Sequence, residues 1–394
     1  MYKLSSYIEL SSEKDKNQEL EYFALISTKR TKVFLINETI FNFLKHFEMP
    51  NTLTDVFKNY KAEFKLEKSE EVNLLKGQLE SFFNDLAKRH WIVPEDKIEE
   101  LPELDTLFKE KDTFLNYKVL SVLGNNKITD VYLVRDLKTN KKLVVKLLNK
   151  SKFKDEKSFD KYSTYFEEEF NFANKFNSIY INKTLGFKSY KEQPYFLLKP
   201  IEGVSISKYV NNNKLKTPEK VKLILKMLRG FSIVHQNKVY HGDIHFSNVM
   251  VQKSGVPVII DFGYANNVEV NIENAQEKVR NGGVYAFIPP ERALRSLDRR
   301  FSKVTHFQAE VYQIGIIIYY IFIKELPFKA DTWKTMVDEK QQLNLGENEV
   351  FLKRKIPKQV KKFIIKCLEP NPENRFSSAT AMYNNWKAIT KKLN

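Results

Sequence analysis

The stretch His241-Gly242-Asp243-Ile244-His245-Phe246-Ser247-Asn248-Val249-Met250, followed by Val258-Ile259-Ile260-Asp261-Phe262-Gly263, decides the fold. It places a carboxylate (Asp243), an amide (Asn248) and a second carboxylate (Asp261) in loops between apolar runs. One carboxylate can orient a hydroxyl or take its proton. An amide and a carboxylate together suit a magnesium ion held against a triphosphate. Asp and Asn are also ordinary turn residues beside buried strands, so each fragment alone is weak. Their order and spacing carry the reading.

Outward from this stretch, Leu143-Val144-Val145-Lys146-Leu147-Leu148 reads as a buried strand with one lysine inside it. A lysine among so many aliphatics needs a carboxylate or an anion as partner, unless it snorkels from a sheet edge. Before it, Tyr117 to Gly124 reads as a strand entering a turn and Val131 to Arg135 as the strand leaving it. A positive φ at Asn125-Asn126 would close that turn. A helical stretch from Pro218 to Gln236 leads into the opening motif. After it, Ile314 to Ile323 is apolar throughout, far shorter than a membrane span, and reads as a helix buried on all faces.

Together these elements resemble the catalytic domain of the protein-kinase superfamily over roughly residues 114–394. The resemblance implies an α+β, bilobal domain: an antiparallel-sheet N-lobe over 114–199 and a mainly helical C-lobe over 202–394. It implies ATP and Mg2+ as cofactors. By the same resemblance Lys146 contacts the α- and β-phosphates and pairs with a helix glutamate. Glu167, Glu168 and Glu169 are candidates. The positions of Phe170, Phe172, Ala173, Phe176 and Ile181 favour Glu169, with Glu168 left open. Asp243 would be the catalytic carboxylate, and Asn248 and Asp261 the metal ligands. Gly124, Asn126, Val131, Lys146, Leu198, Lys199 and Ile201 would line the nucleotide, with Lys199 and Ile201 offering backbone groups to the base. Pro200 between them has no N–H to offer.

Four departures from the family pattern stand out. Two of the three loop glycines are replaced, leaving Gly124, Asn126 and Thr129. Gly242 stands where an arginine that receives a phosphorylated activation loop is usual. No Ser or Thr lies between Asp261 and Glu291, only Tyr264 and Tyr285. These last two absences agree on an enzyme not switched on by Ser/Thr phosphorylation of that loop. His245 and Val284 replace the Lys and Thr that help orient a Ser/Thr acceptor. His245 could supply a hydrogen bond or, protonated, a charge near the γ-phosphate, or be purely structural. Gly283 to Glu291 resembles the segment that closes the activation loop. Glu291 is expected to pair with Arg375, and Glu310 to stand for an Asp at the start of the buried helix.

The first hundred residues read differently. Tyr2 to Leu10, Leu20 to Ser27 and Thr31 to Asn37 suggest three short strands. Asn37 can cap a helix through Phe47, with Ile40, Phe43, Leu44 and Phe47 at helical spacing. Thr52 or Thr54 can cap a second helix through Phe64. A third spans about Ser69 to Arg89, with Val72, Leu75, Leu79, Phe82, Phe83 and Leu86 on one face. Trp91 to Pro94 ends the module. Three strands then three helices resemble a small winged-helix domain. In particular they resemble the leader-peptide recognition element of enzymes that modify ribosomally made peptides. The resemblance implies a domain over 1–93 that adds a precursor's leader as a strand near the third strand and third helix. Residues 94–113, acidic and punctuated by proline, read as a linker.

Composition sets the remaining bounds. At 394 residues, two domains are the default. The single cysteine excludes an intrachain disulfide and a cysteine metal cluster. With no signal-peptide pattern, the expectation is a soluble, cytoplasmic protein. Formal charge is +16, but residues 1–110 are net acidic and the excess lies beyond them. An acidic module repels phosphates, so nucleic acid is not the expected partner. The expected function is an ATP-dependent kinase that docks a precursor peptide through its N-terminal domain and phosphorylates Ser/Thr, or less favourably Tyr, in a bacterial peptide. A separate lyase or cyclase is a further expected partner. The alternatives are a pseudokinase scaffold and a small-molecule phosphotransferase.

Overall fold

The computed structural model describes residues 1–5, 8–14, 21–27, 32–36, 38–63, 69–88, 91–96, 106–126, 128–267, 285–293, 306–328 and 339–393. The Cα framework forms two units. One is centred on Met1–Glu103, the other on Leu104–Arg280, Phe287–Lys329 and Asp338–Asn394. Among the described residues no helix is long and apolar enough to cross a membrane.

In the first unit, β1 (Tyr2–Leu4) is followed by β2 (Ile8–Lys14), β3 (Glu21–Ser27) and β4 (Lys32–Ile36). The first expected strand, Tyr2 to Leu10, is therefore two. β2, β3 and β4 form an antiparallel sheet in sequence order, while β1 pairs with β5 (Ile92–Pro94). Trp91 to Pro94 thus joins a two-stranded sheet instead of trailing off. The break follows from hydrogen bonding: Leu4 N–H donates to the Phe47 carbonyl at 2.6 Å and Ser5 N–H to the Trp91 carbonyl at 2.9 Å. Those amides are then unavailable to the second sheet. Helices α1 (Glu38–Lys45), α2 (Leu53–Glu63) and α3 (Ser69–Lys88) follow. The Thr52 hydroxyl accepts from Asp55 N–H at 3.1 Å, which makes Thr52 the α2 cap. Asn37, Phe64 and Arg89 lie outside the described residues. Phe43, Leu44, Phe47, Val56, Leu79, Phe83 and Leu86 form the core, with Tyr2 edge-on to Phe83 at 5.0 Å. On α3 the i, i+4 and i+7 spacing of Leu79, Phe83 and Leu86 is what turns one face inward.

The second unit opens with a six-stranded antiparallel sheet in the order β10-β11-β9-β8-β7-β6. Its strands are β6 (Thr113–Phe114), β7 (Tyr117–Asn125), β8 (Thr129–Asp136), β9 (Lys142–Leu148), β10 (Thr184–Tyr190) and β11 (Gln193–Leu198). The expected linker over 94–113 is shorter than the sequence suggests. Leu107 and Phe108 pack on the sheet's core, and Phe108 stacks on Phe114 at 4.4 Å, because two apolar side chains in that acidic stretch find buried area there. Helix α4 (Glu156–Asn174) is capped by the Asp155 side chain, which accepts from Ser158 N–H at 2.7 Å. Its buried residues Phe159, Phe166, Glu169, Phe172 and Ala173 recur at helical spacing, so Glu169 is carried inward with the apolar face.

Beyond β11 the chain is mainly helical: α5 (Ile206–Asn212), α6 (Thr217–Gln236), α7 (His306–Ile323), α8 (Lys358–Cys367) and α9 (Ala379–Leu393). In α7, Ile314, Ile316, Ile317, Ile318 and Ile321 are all fully shielded, as expected of a helix apolar on every face. Trp386 of α9 is buried and donates its indole N–H to the Val221 carbonyl of α6 at 3.0 Å. Short strands complete the unit: β12 (Gly203–Ser205), β14 (Val249–Gln252) and β15 (Pro257–Ile259) form one sheet, β13 (Val239–Tyr240) and β16 (Asn266–Asn267) another. The Arg375 guanidinium clamps both oxygens of the Glu291 carboxylate at 2.8 and 2.9 Å, the buried pairing expected from the sequence.

Candidate active site

Two strand pairs hold the motif loops. The loop with Asp243 and Asn248 runs from β13 into β14; the loop with Asp261 runs from β15 into β16. β13 pairs with β16 and β14 with β15, so both ends of each loop are tied to the other loop's strands. Between them the Ile260 N–H donates to the Asn248 carbonyl at 3.0 Å. The His241 ring, fully buried, bridges the same loops: Nε2–H donates to the Ile260 carbonyl at 2.9 Å, and Nδ1 accepts from Asp243 N–H at 3.3 Å.

Asp243 is held by its neighbours. The Asn248 side-chain N–H donates to the Asp243 carbonyl at 2.8 Å and to Oδ2 at 3.3 Å. His245 Nδ1 accepts from Ser247 N–H at 3.2 Å, which turns Nε2 toward Asp243 Oδ2 at 3.4 Å. His245 therefore lies beside the Asp243 carboxylate. Gly242 has φ +84°, and a Cβ there would meet the Tyr264 carbonyl oxygen at 2.2 Å. That contact leaves no room for an arginine. Its N–H donates to Glu310 Oε1 at 2.6 Å. Burial would raise the Glu310 carboxyl, but His235, His241 and this backbone N–H hold it below the ordinary range. A buried carboxylate at the start of α7 thus anchors the catalytic loop, a role invisible in the sequence.

Lys146, on β9, reaches the helix glutamate expected of it and also Asp261, a contact not foreseen from the sequence. Its Nζ lies 2.5 Å from Glu169 Oε1 and 2.8 Å from Asp261 Oδ1. Glu169, not Glu168, is its partner. Lys146 and Glu169 side chains are each 8% exposed; that of Asp261 is 42% exposed. Burial pushes the Glu169 carboxyl up to about 7; the Lys146 ammonium opposes this and the Asp261 charge reinforces it. For Asp261 burial acts the same way, but the Lys146 ammonium outweighs it and holds this more open carboxyl below the usual range. Burial would lower Lys146, yet the two carboxylates hold it above its ordinary value. Asp261 has φ +64°, a left-handed conformation costing roughly 1–2 kcal/mol for a non-glycine residue. The next residue, Phe262, is buried against Phe176 at 5.4 Å and His241 at 5.0 Å, which holds Asp261 in that pose.

One lysine against two carboxylates leaves a net negative charge beside an amide oxygen donor. Magnesium takes few protein ligands and completes its shell with water and phosphate. A carboxylate and an amide such as Asp261 and Asn248 fit that requirement.

The nucleotide loop departs from expectation. Neither Asn125 nor Asn126 has a positive φ. The turn is closed instead by the Asn126 side chain, whose Oδ1 accepts from Ile128 N–H at 3.0 Å and Thr129 N–H at 2.7 Å. Gly124 pairs with Val131 across the hairpin. Leu198 ends β11, opposite Val144. The Lys199 N–H donates to the Lys183 carbonyl at 2.9 Å, so of its backbone groups the carbonyl is left for a base edge. Lys199 is exposed and Ile201 half-buried. Gly283 and Val284 lie outside the described residues.

Sequence reasoning missed Asp130. It is fully buried and accepts hydrogen bonds from Asn149 at 2.8 Å, the Tyr132 hydroxyl at 2.9 Å, Leu107 N–H at 3.0 Å and Lys152. A signal was present: alternation along β8 puts Asp130 on the same face as the buried Tyr132 and Val134, and a carboxylate there needs a partner.

The description "Protein kinase domain" fits residues 117–387 of this chain. The probable serine/threonine-protein kinase PknB of Lactococcus lactis is 23% identical over 267 residues, covering 68% of this chain and 40% of that protein. The serine/threonine-protein kinase PknB of Mycobacterium tuberculosis is 22% identical over 275 residues, 68% of this chain and 41% of its own. Serine/threonine-protein kinase PrkC of Bacillus subtilis is 21% identical over 267 residues, 68% and 39% respectively. The match thus spans about two fifths of the length of these relatives.

Proposed function

This chain belongs to the protein kinase domain family, and on that premise we propose that it is an ATP- and magnesium-dependent kinase acting on Ser or Thr of a protein or peptide. The observation that carries the proposal is Lys146 held between Glu169 and Asp261, with Asp243 fixed by Asn248. Asn248 and His245 both approach Asp243 Oδ2. That leaves Oδ1 to orient the acceptor hydroxyl and take its proton. Asp261 and Asn248 would hold magnesium, which when bound neutralises charge on the triphosphate. Lys146 would position the α- and β-phosphates, and Glu169 keeps Lys146 in place. The names of the relatives support a Ser or Thr acceptor. Because Gly242 excludes an arginine, activity independent of activation-loop phosphorylation is part of the reading. The test is phosphate transfer from labelled ATP with magnesium to a panel of Ser/Thr peptides. Wild type transferring no more than Asp243→Ala would remove the enzyme reading.

A narrower reading gives the acceptor. We propose a cytoplasmic enzyme that docks a precursor peptide's leader on a winged-helix-like domain over 1–93 and modifies the same peptide, with a lyase or cyclase acting separately. Its support is the order β2-β3-β4, which leaves β2 and β4 with one neighbour each in that sheet. An edge strand can take an added strand through backbone pairing. Docking would raise the acceptor's effective concentration at the active site. Titrating a candidate leader into the full chain and into a form lacking 1–93 tests it; equal affinities would end the docking idea.

A further inference from the structure

A second lysine–carboxylate pair lies beside the nucleotide turn. Lys152, directly after β9, extends its Nζ to the buried Asp130 carboxylate, to Asn125 Oδ1 at 2.6 Å, and to the carbonyls of Asn126 at 3.0 Å and Thr129 at 3.4 Å. The Asn149 N–H donates to the Ile128 carbonyl at 2.9 Å. Three carbonyls of the turn are therefore anchored from the β9 side, while Asn126 holds the amides of Ile128 and Thr129. The Asp130 side chain is 0% exposed and that of Lys152 10% exposed, so the pair is shielded from screening.

A glycine-rich turn must lose conformational freedom each time a ligand orders it. This turn carries Asn126 and Thr129 in place of two glycines, and hydrogen bonds from the protein's own side chains hold its described residues. We propose that Asp130 and Lys152 are positioning residues that hold the nucleotide turn in its phosphate-receiving shape, so that affinity for a nucleoside di- or triphosphate depends on a buried ion pair remote from the phosphates. The proposal rests on the ATP reading but is separable from it. Lys152 makes its contacts on the Asp130 carboxylate, the Asn125 side chain and two backbone carbonyls, whereas phosphate contact is assigned to Lys146. Asp130, on the Tyr132 face of β8, lies opposite Val131.

The experiment titrates a fluorescent ADP analogue with magnesium into the full chain, with folded fraction measured by thermal melting. Lys152→Met is expected to weaken binding about tenfold per folded molecule, and Lys152→Arg to restore most of it. Lys152→Met leaves a buried carboxylate unpaired, so the double variant Asp130→Asn with Lys152→Met keeps the test open if the single one does not fold. It too should bind about tenfold more weakly. Hydrogen exchange on the wild type adds a reading that needs no variant: the Ile128 and Thr129 amides are expected to be protected without nucleotide. Either result overturns the proposal: variant affinity within twofold of wild type, or unprotected amides in the nucleotide-free protein. A wild type that binds no nucleotide would instead remove the ATP reading.

Discussion

The N-lobe holds two buried lysines against carboxylates, and they are balanced differently. Lys152 meets one carboxylate, Asp130, whose remaining lone pairs are filled by neutral donors from Asn149, Tyr132 and Leu107. Lys146 meets two, Glu169 and Asp261, and burial, reinforced by the Asp261 charge, pushes the Glu169 carboxyl up to about 7. A satisfied pair is architecture. An over-charged one is a site with room for a cation and for phosphate. Placement agrees: Asp130 is fully shielded, whereas Asp261 opens on one side to solvent.

Exchanging the lysines tests that contrast most directly. Lys146→Met is expected to lower kcat about a thousandfold, worth about 4 kcal/mol in the transition state, while the protein still folds. Steady-state kinetics beside a thermal melt separates the two effects. Lys152→Met should do the reverse, costing about 3 kcal/mol of stability because the charge of Asp130 stays buried without its partner, with its loss appearing in nucleotide affinity and kcat at saturating ATP reduced far less than in Lys146→Met. Equal losses of kcat in the two variants would break the distinction.

The buried Glu169 carboxyl also predicts a pH dependence. With its carboxyl raised, the folded protein holds a proton at Glu169 that the unfolded chain releases between about 4.5 and 7. Stability of the nucleotide-free protein should therefore fall as pH rises through that window, by roughly 1–3 kcal/mol, and level off above it. Glu169→Gln should flatten this limb in denaturant titrations. A third buried lysine gives the opposite sign. Lys340, under Phe328 and donating to the Ile288 carbonyl at 2.9 Å, is lowered by burial to about 7. The unfolded chain then holds the extra proton between about 7 and 10.5, so stability should rise with pH there, and Lys340→Met should remove that rise. The smallest effect belongs to the satisfied pair's neutral donors: Tyr132→Phe should cost about 1–2 kcal/mol, losing the bond its hydroxyl gives Asp130 and the one it accepts from Phe108 N–H.

How much was legible varies with the kind of signal. Asp243, Asn248, Asp261 and Lys146 could be named because their spacing is local and their surroundings are apolar. Glu169 could be preferred over Glu168 because Phe170, Phe172, Ala173, Phe176 and Ile181 then match the apolar positions of the resembled family, and the structure turns it inward with Phe166, Phe172 and Ala173. At Asn125-Asn126 the sequence allowed a turn closed by a positive φ; the Asn126 side chain closes it instead. The first strand was drawn too long because alternation does not say which sheet will take each amide. Gly242 was noted as a missing arginine; only the Tyr264 carbonyl beside it shows that no side chain fits.

The sequence by itself determined the chemistry on offer, the order of the elements and the inward faces of helices and strands. These follow from residue type and from periods of 3.6 and 2, which act over a few residues. Tertiary structure alone decided which charges share a partner: Lys146 between two carboxylates, Lys152 between Asp130 and the nucleotide turn, Glu310 on the Gly242 amide. Such pairings join positions far apart in the chain, and burial sets their strength. Burial belongs to the packed molecule and to no segment of it.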